Sequence, residues 1–290
     1  MSIFFALVYS IIFLFGICWG SFLNVVAYRI AFERPFFTAR SMCPLCGQVI
    51  AWYDNLPVIS WLLLRGRCRH CRKPISFLYP LFEFLSGVIF VLVAMKLLPR
   101  FFPSYYVTSF APYSLDIGQF YESVCGSLFA YAVGSTCSAV VFFSALIVAT
   151  ITDIRAMIIP QIASLWLVPA GIIFSFMGLT GISYGESALG AFLGYGVLWL
   201  VASVFKALTK KEGLGVGDME FLSMIGAFIG PIGIWFTVMV GSVLGMIIGG
   251  AYIALRGQNR MTRIPFGPFL ALGAAAYYLG EPLVMRLFTL

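Results

Sequence analysis

Two aspartates and four cysteines are the residues whose types and spacing could do chemistry in this chain of 290 residues. Asp153 stands in Ile151-Thr152-Asp153-Ile154-Arg155, at the end of one long apolar stretch. Asp218 stands in Gly213-Leu214-Gly215-Val216-Gly217-Asp218, at the start of another. An ionisable side chain at membrane depth is costly to keep there, so each invites a functional reading. Two carboxyl groups brought close cannot both ionise easily and share one proton. One can then activate water as a general base while the other donates a hydrogen bond to a scissile carbonyl. The glycines before Asp218 remove side chains and let a substrate backbone approach. Taken singly, each aspartate also has a plainer role, Asp153 pairing with Arg155 and Asp218 capping a helix. On the residues alone both readings stand.

The cysteines fall as Cys43-Pro44-Leu45-Cys46 and Cys68-Arg69-His70-Cys71, two Cys-x-x-Cys knuckles separated by 21 residues. Such knuckles each give two thiolates to a tetrahedral ion, and thiolate softness favours zinc. The segment around them is too small for a core of its own, so a metal crosslink has a physical purpose. Disulfides and a redox Cys-x-x-Cys are the competing readings. A reducing compartment disfavours the first, and two matched pairs weigh against the second. His70, the single histidine, lies inside the second knuckle, but four thiolates already complete the tetrahedron. Cys18, Cys125 and Cys137 lie in or beside apolar stretches and read as small packing residues.

The elements that must position these groups are set by composition. The chain is 61% hydrophobic and 10% charged, against roughly 45–50% and about 25% in soluble domains. Lipid must be the solvent for most of it. Eight spans are expected, near 3–24, 78–98, 125–152, 160–179, 186–208, 218–231, 234–255 and 266–287. The first lacks a preceding basic region and a small-residue cleavage site, so it reads as a retained helix. The sixth is short and ends at Pro231-Ile232-Gly233. Fifteen of the 18 basic residues fall in alternate loops, on one face of such a bundle. That distribution argues for membrane orientation rather than nucleic-acid binding, and it marks that face as cytoplasmic. Both termini then point away from the cytoplasm, and Asp153 and Asp218 lie at similar depth on the cytoplasmic side. The predicted architecture is an all-α polytopic membrane protein. It comprises a first helix over 1–24, a cytoplasmic cysteine module over 25–77, and a seven-helix core over 78–290 with an aromatic outer loop at 99–124.

These residues are similar to those of a known family. The chain resembles the type IV prepilin peptidases, polytopic aspartyl peptidases of the Gly-x-Gly-Asp type. The likeness rests on Gly20-Ser21-Phe22-Leu23-Asn24, the two knuckles, Trp52-Tyr53-Asp54-Asn55-Leu56-Pro57 and Tyr79-Pro80-Leu81-Phe82-Glu83. It continues through Thr152-Asp153, Gly215-Val216-Gly217-Asp218 and Pro265-Phe266-Gly267-Pro268-Phe269-Leu270. The resemblance implies about eight helices and an active pair at Asp153 and Asp218. It implies cleavage of the basic leader from type IV prepilins or type II secretion pseudopilins at the bacterial inner membrane. Members with the cysteine-bearing loop commonly also N-methylate the new terminus with S-adenosylmethionine. The zinc, held by Cys43, Cys46, Cys68 and Cys71, would be structural. Two positions depart from the family pattern: Glu220 stands where a lysine is common, and Gln161 where an acidic or amide residue is usual.

Glu83 could bind a substrate amine or the methyl donor, but a pairing with Arg72 or Lys73 is expected instead. Asp54 and Asn55 read first as a turn. The rival classes are a transporter using Asp153 and Asp218 as cation sites, a zinc-module scaffold without chemistry, and a Gly-x-Gly-Asp protease with other membrane substrates. A transporter predicts charges nearer mid-membrane and repeated halves with broken helices, and neither is found in the sequence.

Overall fold

A computed structural model describes residues 2–33, 41–43, 45–101, 117–210, 213, 215–256 and 265–288. Most of the expected outer loop lies outside the described residues, as do Arg34, Arg40, Lys211, Arg260 and Arg263 of the basic loops. The helices are α1 (Ser2–Ala31), α2 (Ile59–Leu63), α3 (Leu78–Phe101), α4 (Ile117–Ala156), α5 (Val168–Phe176), α6 (Tyr184–Thr209), α7 (Val216–Arg256) and α8 (Gly267–Phe288). Among the described residues, extended pairing is confined to isolated bridges at Met42–Val49 and Arg67–Pro74.

Five helical stretches are long and apolar enough to cross a membrane: Phe5–Ala31, Leu78–Leu97, Ala130–Ala156, Tyr184–Thr209 and Val216–Tyr252. A shorter apolar stretch covers Gln161–Phe176. Large apolar side chains face outward along them, with Phe192 73% and Met246 71% exposed. Surfaces so apolar belong in lipid. The chain is an all-helical membrane protein. α1 continues past the expected boundary at 24 because the residues up to Ala31 remain largely apolar.

The two spans expected at 218–231 and 234–255 form a single element, α7, broken at Gly230. Gly230 has φ 73° and ψ −177°, a conformation open essentially to glycine alone, and Pro231 follows it. A straight helix would put residues 217 and 241 about 36 Å apart. Instead Gly217 packs on Ile159, Ile159 packs on Gly267, and Gly241 packs on Phe269, two residues further along. The chain therefore doubles back at Gly230, and both ends of α7 return to the same end of the bundle.

Small residues let these helices approach. A Cβ on Gly190 of α6 would stand 2.3 Å from the Gly226 carbonyl of α7, and one on Gly194 would stand 2.4 Å from the Leu222 carbonyl. Ser187 and Ser223 hydroxyls donate across the same seam to the Ala227 and Ala191 carbonyls at 2.6 and 2.9 Å. Small residues and interhelical hydroxyls are the usual glue where lipid removes the hydrophobic drive to associate. A capping box of Ser183 and Glu186 starts α6. The shared core is Phe142 and Phe143 of α4, Phe221, Leu222, Met224 and Ile225 of α7, and Leu270 of α8. α1 and α3 form a second close pair through Gly16 against Gly87 and Gly20 against Ser86.

Candidate active site and metal centre

Asp153 lies in the last turn of α4 and is 6% exposed. The helix ends just beyond it, where Met157 takes a left-handed φ of 55° and returns its N–H to the Asp153 carbonyl at 2.9 Å. The Asp153 carboxylate accepts the backbone N–H of Gly267, at the start of α8, at 2.9 Å. A Cβ on Gly267 would stand 2.8 Å from that same Oδ2 and 3.1 Å from Ile159 Cδ1, so glycine is required there.

Asp218 lies in the first turn of α7, where a carboxylate suits the positive end of the helix. It is half-buried, and its Oδ2 folds back to 3.3 Å from where a Cβ on Gly215 would stand. Ile159 packs between Gly217 and Gly267, so the turn that carries Asp218 and the turn that binds the Asp153 carboxylate meet on one residue. The two carboxyl groups lie within electrostatic range of each other.

Of the two plainer roles, the pairing of Asp153 with Arg155 is not adopted. Arg155 turns away from Asp153: its guanidinium stacks 4.3 Å over the Tyr79 ring and donates to the Tyr79 hydroxyl at 3.2 Å. Asp218 stands at the third position of its helix, and its carboxylate reaches back to accept the Gly215 N–H, so the capping role is kept. The two departures from the family pattern prove to be partners, since the Gln161 amide donates to the buried Glu220 carboxylate at 3.3 Å. Glu220 thus has a neutral donor beside it.

Glu83 is corrected more sharply. No ion pair joins it to Arg72 or Lys73 among the described residues. Its carboxylate, 8% exposed, accepts the Val58 N–H at 2.7 Å and meets the Ser21 hydroxyl. The expected turn at Asp54-Asn55 is a single turn of tight helix over Trp52–Asn55. In it Asp54 takes both donors of Arg69, at 2.6 and 2.5 Å. This bidentate contact holds the Asp54 carboxyl below its ordinary range.

Cys43, Cys46, Cys68 and Cys71 come together, with all four sulfurs within 4.8 Å of one another. The Cys43 and Cys71 sulfurs are 3.9 Å apart, close to the roughly 3.8 Å edge of a zinc tetrahedron with bonds of about 2.3 Å. The knuckles repeat one backbone design. Cys43 N–H donates to the Gln48 carbonyl and Cys68 N–H to the Lys73 carbonyl, at 2.9 and 3.0 Å. The residue after each second cysteine is left-handed, Gly47 at φ 68° and Arg72 at φ 55°. Backbone N–H groups of Cys71 and His70 bring the Cys68 thiol down to about 7. Cys46, though the Gln48 N–H lowers it, is pushed up to about 11 by burial and the three neighbouring thiols, so the geometry and not the acidity carries the metal reading. The four cysteines could hold a metal ion.

Known proteins fit this arrangement. The pattern of the Bacterial Peptidase A24 N-terminal domain matches residues 14–97, and that of the Type IV leader peptidase family matches residues 140–253. The chain belongs to the type IV leader peptidase family. A "Prepilin leader peptidase/N-methyltransferase" of Aeromonas hydrophila is 33% identical over 92% of this chain and 88% of its own length. Relatives of the same name from Aeromonas salmonicida (strain A449) and Burkholderia pseudomallei (strain 1026b) are each 32% identical. They cover 92% and 94% of this chain and 88% and 85% of their own lengths. No solved structure matches.

Gly267 is the site residue whose role the sequence reading missed. The visible signal was a glycine between Phe266 and Pro268, at the start of the last helix and on the aspartate side. Replacing it should displace the Asp153 carboxylate. Misplacement of a catalytic group by about 1 Å costs on the order of 100-fold in rate. Gly267→Ala should therefore cut leader cleavage by about 100-fold while the thermal midpoint of the purified protein moves little; a rate near wild type would contradict the contact.

Proposed function

We propose that this family member is a membrane aspartyl endopeptidase that removes the basic leader from type IV prepilins or type II secretion pseudopilins. The observation carrying this reading is that Asp153, held by the Gly267 N–H, and Asp218 are brought to one end of the helical bundle around Ile159. The Gly267 N–H occupies one oxygen of Asp153 and leaves the other for chemistry. The aspartates share a proton and titrate as a unit. One carboxylate takes a proton from water attacking the scissile carbonyl, and the protonated partner donates to the carbonyl oxygen. The exposed Gly215 carries no side chain beside Asp218, where an extended substrate backbone would pass.

The chain is oriented in the bacterial inner membrane with its aspartates at the cytoplasmic surface and both termini outside. Eight crossings follow if Gln161–Phe176, both arms of α7 and α8 each span. A basic leader would be held at the anionic inner surface. Its apolar helix would lie in the bilayer, with the cleavage junction level with the aspartates. Zinc at Cys43, Cys46, Cys68 and Cys71 is a structural crosslink that folds the cytoplasmic module, and the peptide hydrolysis needs no metal.

N-methylation of the new terminus with S-adenosylmethionine is proposed from the names of the relatives. Neither principal cavity fits that donor. One, of about 120 Å³, is polar but small and sits by Phe228, Ile229 and Tyr278, near the reversal of α7. The other, of about 350 Å³, is walled by apolar residues of α1, α3 and α4. A small-molecule site calls for about 300 Å³ or more together with convergent polar groups. No residue is assigned to the donor and no step is derived through it. The transporter reading, with cations at Asp153 and Asp218, finds no support among the relatives.

The direct test incubates the purified protein with a leader-bearing prepilin and reads the intact mass of the product. Asp153→Asn and Asp218→Asn should each lower cleavage about 1,000-fold; cleavage that survives either substitution contradicts the mechanism. Metal analysis should find about one zinc per chain, as the tetrahedral site requires. Cys43→Ser with Cys68→Ser should release it and expose the module to protease. A metal content unchanged by that double substitution would refute the site.

A further inference from the structure

We propose that Glu83 is a positioning residue that fixes the cysteine module against the helical bundle, through a single hydrogen bond to a strained turn. The inference rests on the peptidase reading above and deepens it. The turn is centred on Val58, whose φ of 61° and ψ of −51° are rare for any β-branched residue. Ile59 N–H donates back to the Pro57 carbonyl at 2.6 Å, closing a three-residue γ-turn of the uncommon, strained hand. Such a conformation persists only where the surroundings over-determine it.

Those surroundings are visible. The Val58 N–H points into the membrane bundle and ends on the buried carboxylate of Glu83, in the second turn of α3. Ser60, itself buried, accepts the Leu56 N–H at 3.1 Å and donates to the Tyr53 carbonyl at 3.0 Å, tying the turn to the residues before it. α2 follows at once. Its Trp61 donates to the Ile75 carbonyl at 3.1 Å and packs on Gly66, which reaches the second knuckle. The module is thus a stiff body, and Glu83 grips it from inside the bundle.

The grip lies next to the chemistry. Tyr79, one helical turn before Glu83, carries the Arg155 guanidinium on its ring, two residues beyond Asp153. The same Tyr79 offers its carbonyl to the buried Asn24 of α1 at 3.3 Å. A continuous set of contacts therefore joins the Val58 turn, Glu83, Tyr79, Arg155 and the α4 turn that presents Asp153. A carboxylate is costly at this depth. It is explained if the Val58 N–H, pointed away from any helix partner, would otherwise be left unsatisfied. Glu83 thereby ties the cysteine module to the helix that also meets the last turn of α4, and loosening that tie weakens binding of the leader junction without removing a catalytic group.

The test uses the full chain in detergent, as wild type, Glu83→Leu and Glu83→Gln, with three readouts: amide hydrogen exchange, zinc content, and cleavage kinetics on a leader-bearing prepilin. In Glu83→Leu, the amides of residues 56–64 should exchange about tenfold faster or more, the scale of a lost hydrogen bond to a charged group. Zinc content should stay at the wild-type level. KM should rise while kcat stays within about twofold, the pattern of lost ground-state binding. Glu83→Gln restores a neutral acceptor and should shift exchange and KM in the same direction by less. If the leucine protein does not fold, the glutamine protein carries the comparison. Unchanged exchange, or faster exchange with an unchanged KM, overturns the inference alone. A wild-type protein that does not cut overturns the peptidase reading and this inference with it.

Discussion

On the proposed reading, two carboxyl groups that repel each other must be held at one edge of an apolar bundle, and most of the architecture answers to that constraint. Neither aspartate is placed by its own helix alone. Asp153 is steadied by a backbone N–H from α8, 114 positions away in sequence. Asp218 is presented by a helix that starts at this end and is sent back to it by the break at Gly230. The glycine seams between α6 and α7, and the serine hydroxyls crossing them, set how closely that helix can lie. Rigid elements hold a reacting pair better than loops can, because their side chains are locked by packing on several sides.

The second constraint is electrostatic bookkeeping around the pair. Other charged groups near the site have polar or aromatic partners of their own. Arg155 is absorbed by Tyr79, Glu220 by Gln161, and Glu83 by Val58 and Ser21. Asp54 and Arg69 satisfy each other within the cysteine module. The partners of Arg155, Glu220 and Glu83 are neutral, so they orient the charges without cancelling them, and each aspartate likewise accepts a backbone N–H, from Gly267 and from Gly215.

Much of this was legible in the sequence, and the parts that were not share a cause. Charge alternation put Asp153 and Asp218 on one side, and Cys-x-x-Cys spacing foretold the cluster of four sulfurs. Pro231-Ile232-Gly233 marked a break, which falls one residue earlier at Gly230. These signals are local, carried by period, spacing or a residue with a fixed backbone habit. The contact of Gly267 with Asp153, the choice of Tyr79 by Arg155, the Gln161–Glu220 pair and the grip of Glu83 on Val58 join residues that only packing brings together. For Arg155 and Glu83, proximity along the chain suggested the wrong partners, because a neighbouring charge was weighed before the backbone donor or aromatic ring that the fold supplies.

The central claim is that the two aspartates act as one unit, and non-additivity tests it most directly. Residual cleavage would be measured for Asp153→Asn, Asp218→Asn and the double variant under single-turnover conditions. Groups that share one proton in one step should lose nearly everything with the first substitution, leaving all three proteins with about the same residual rate. Losses that multiply in the double variant, or a single variant that retains substantial cleavage, would show that the carboxyl groups act independently and would contradict the account.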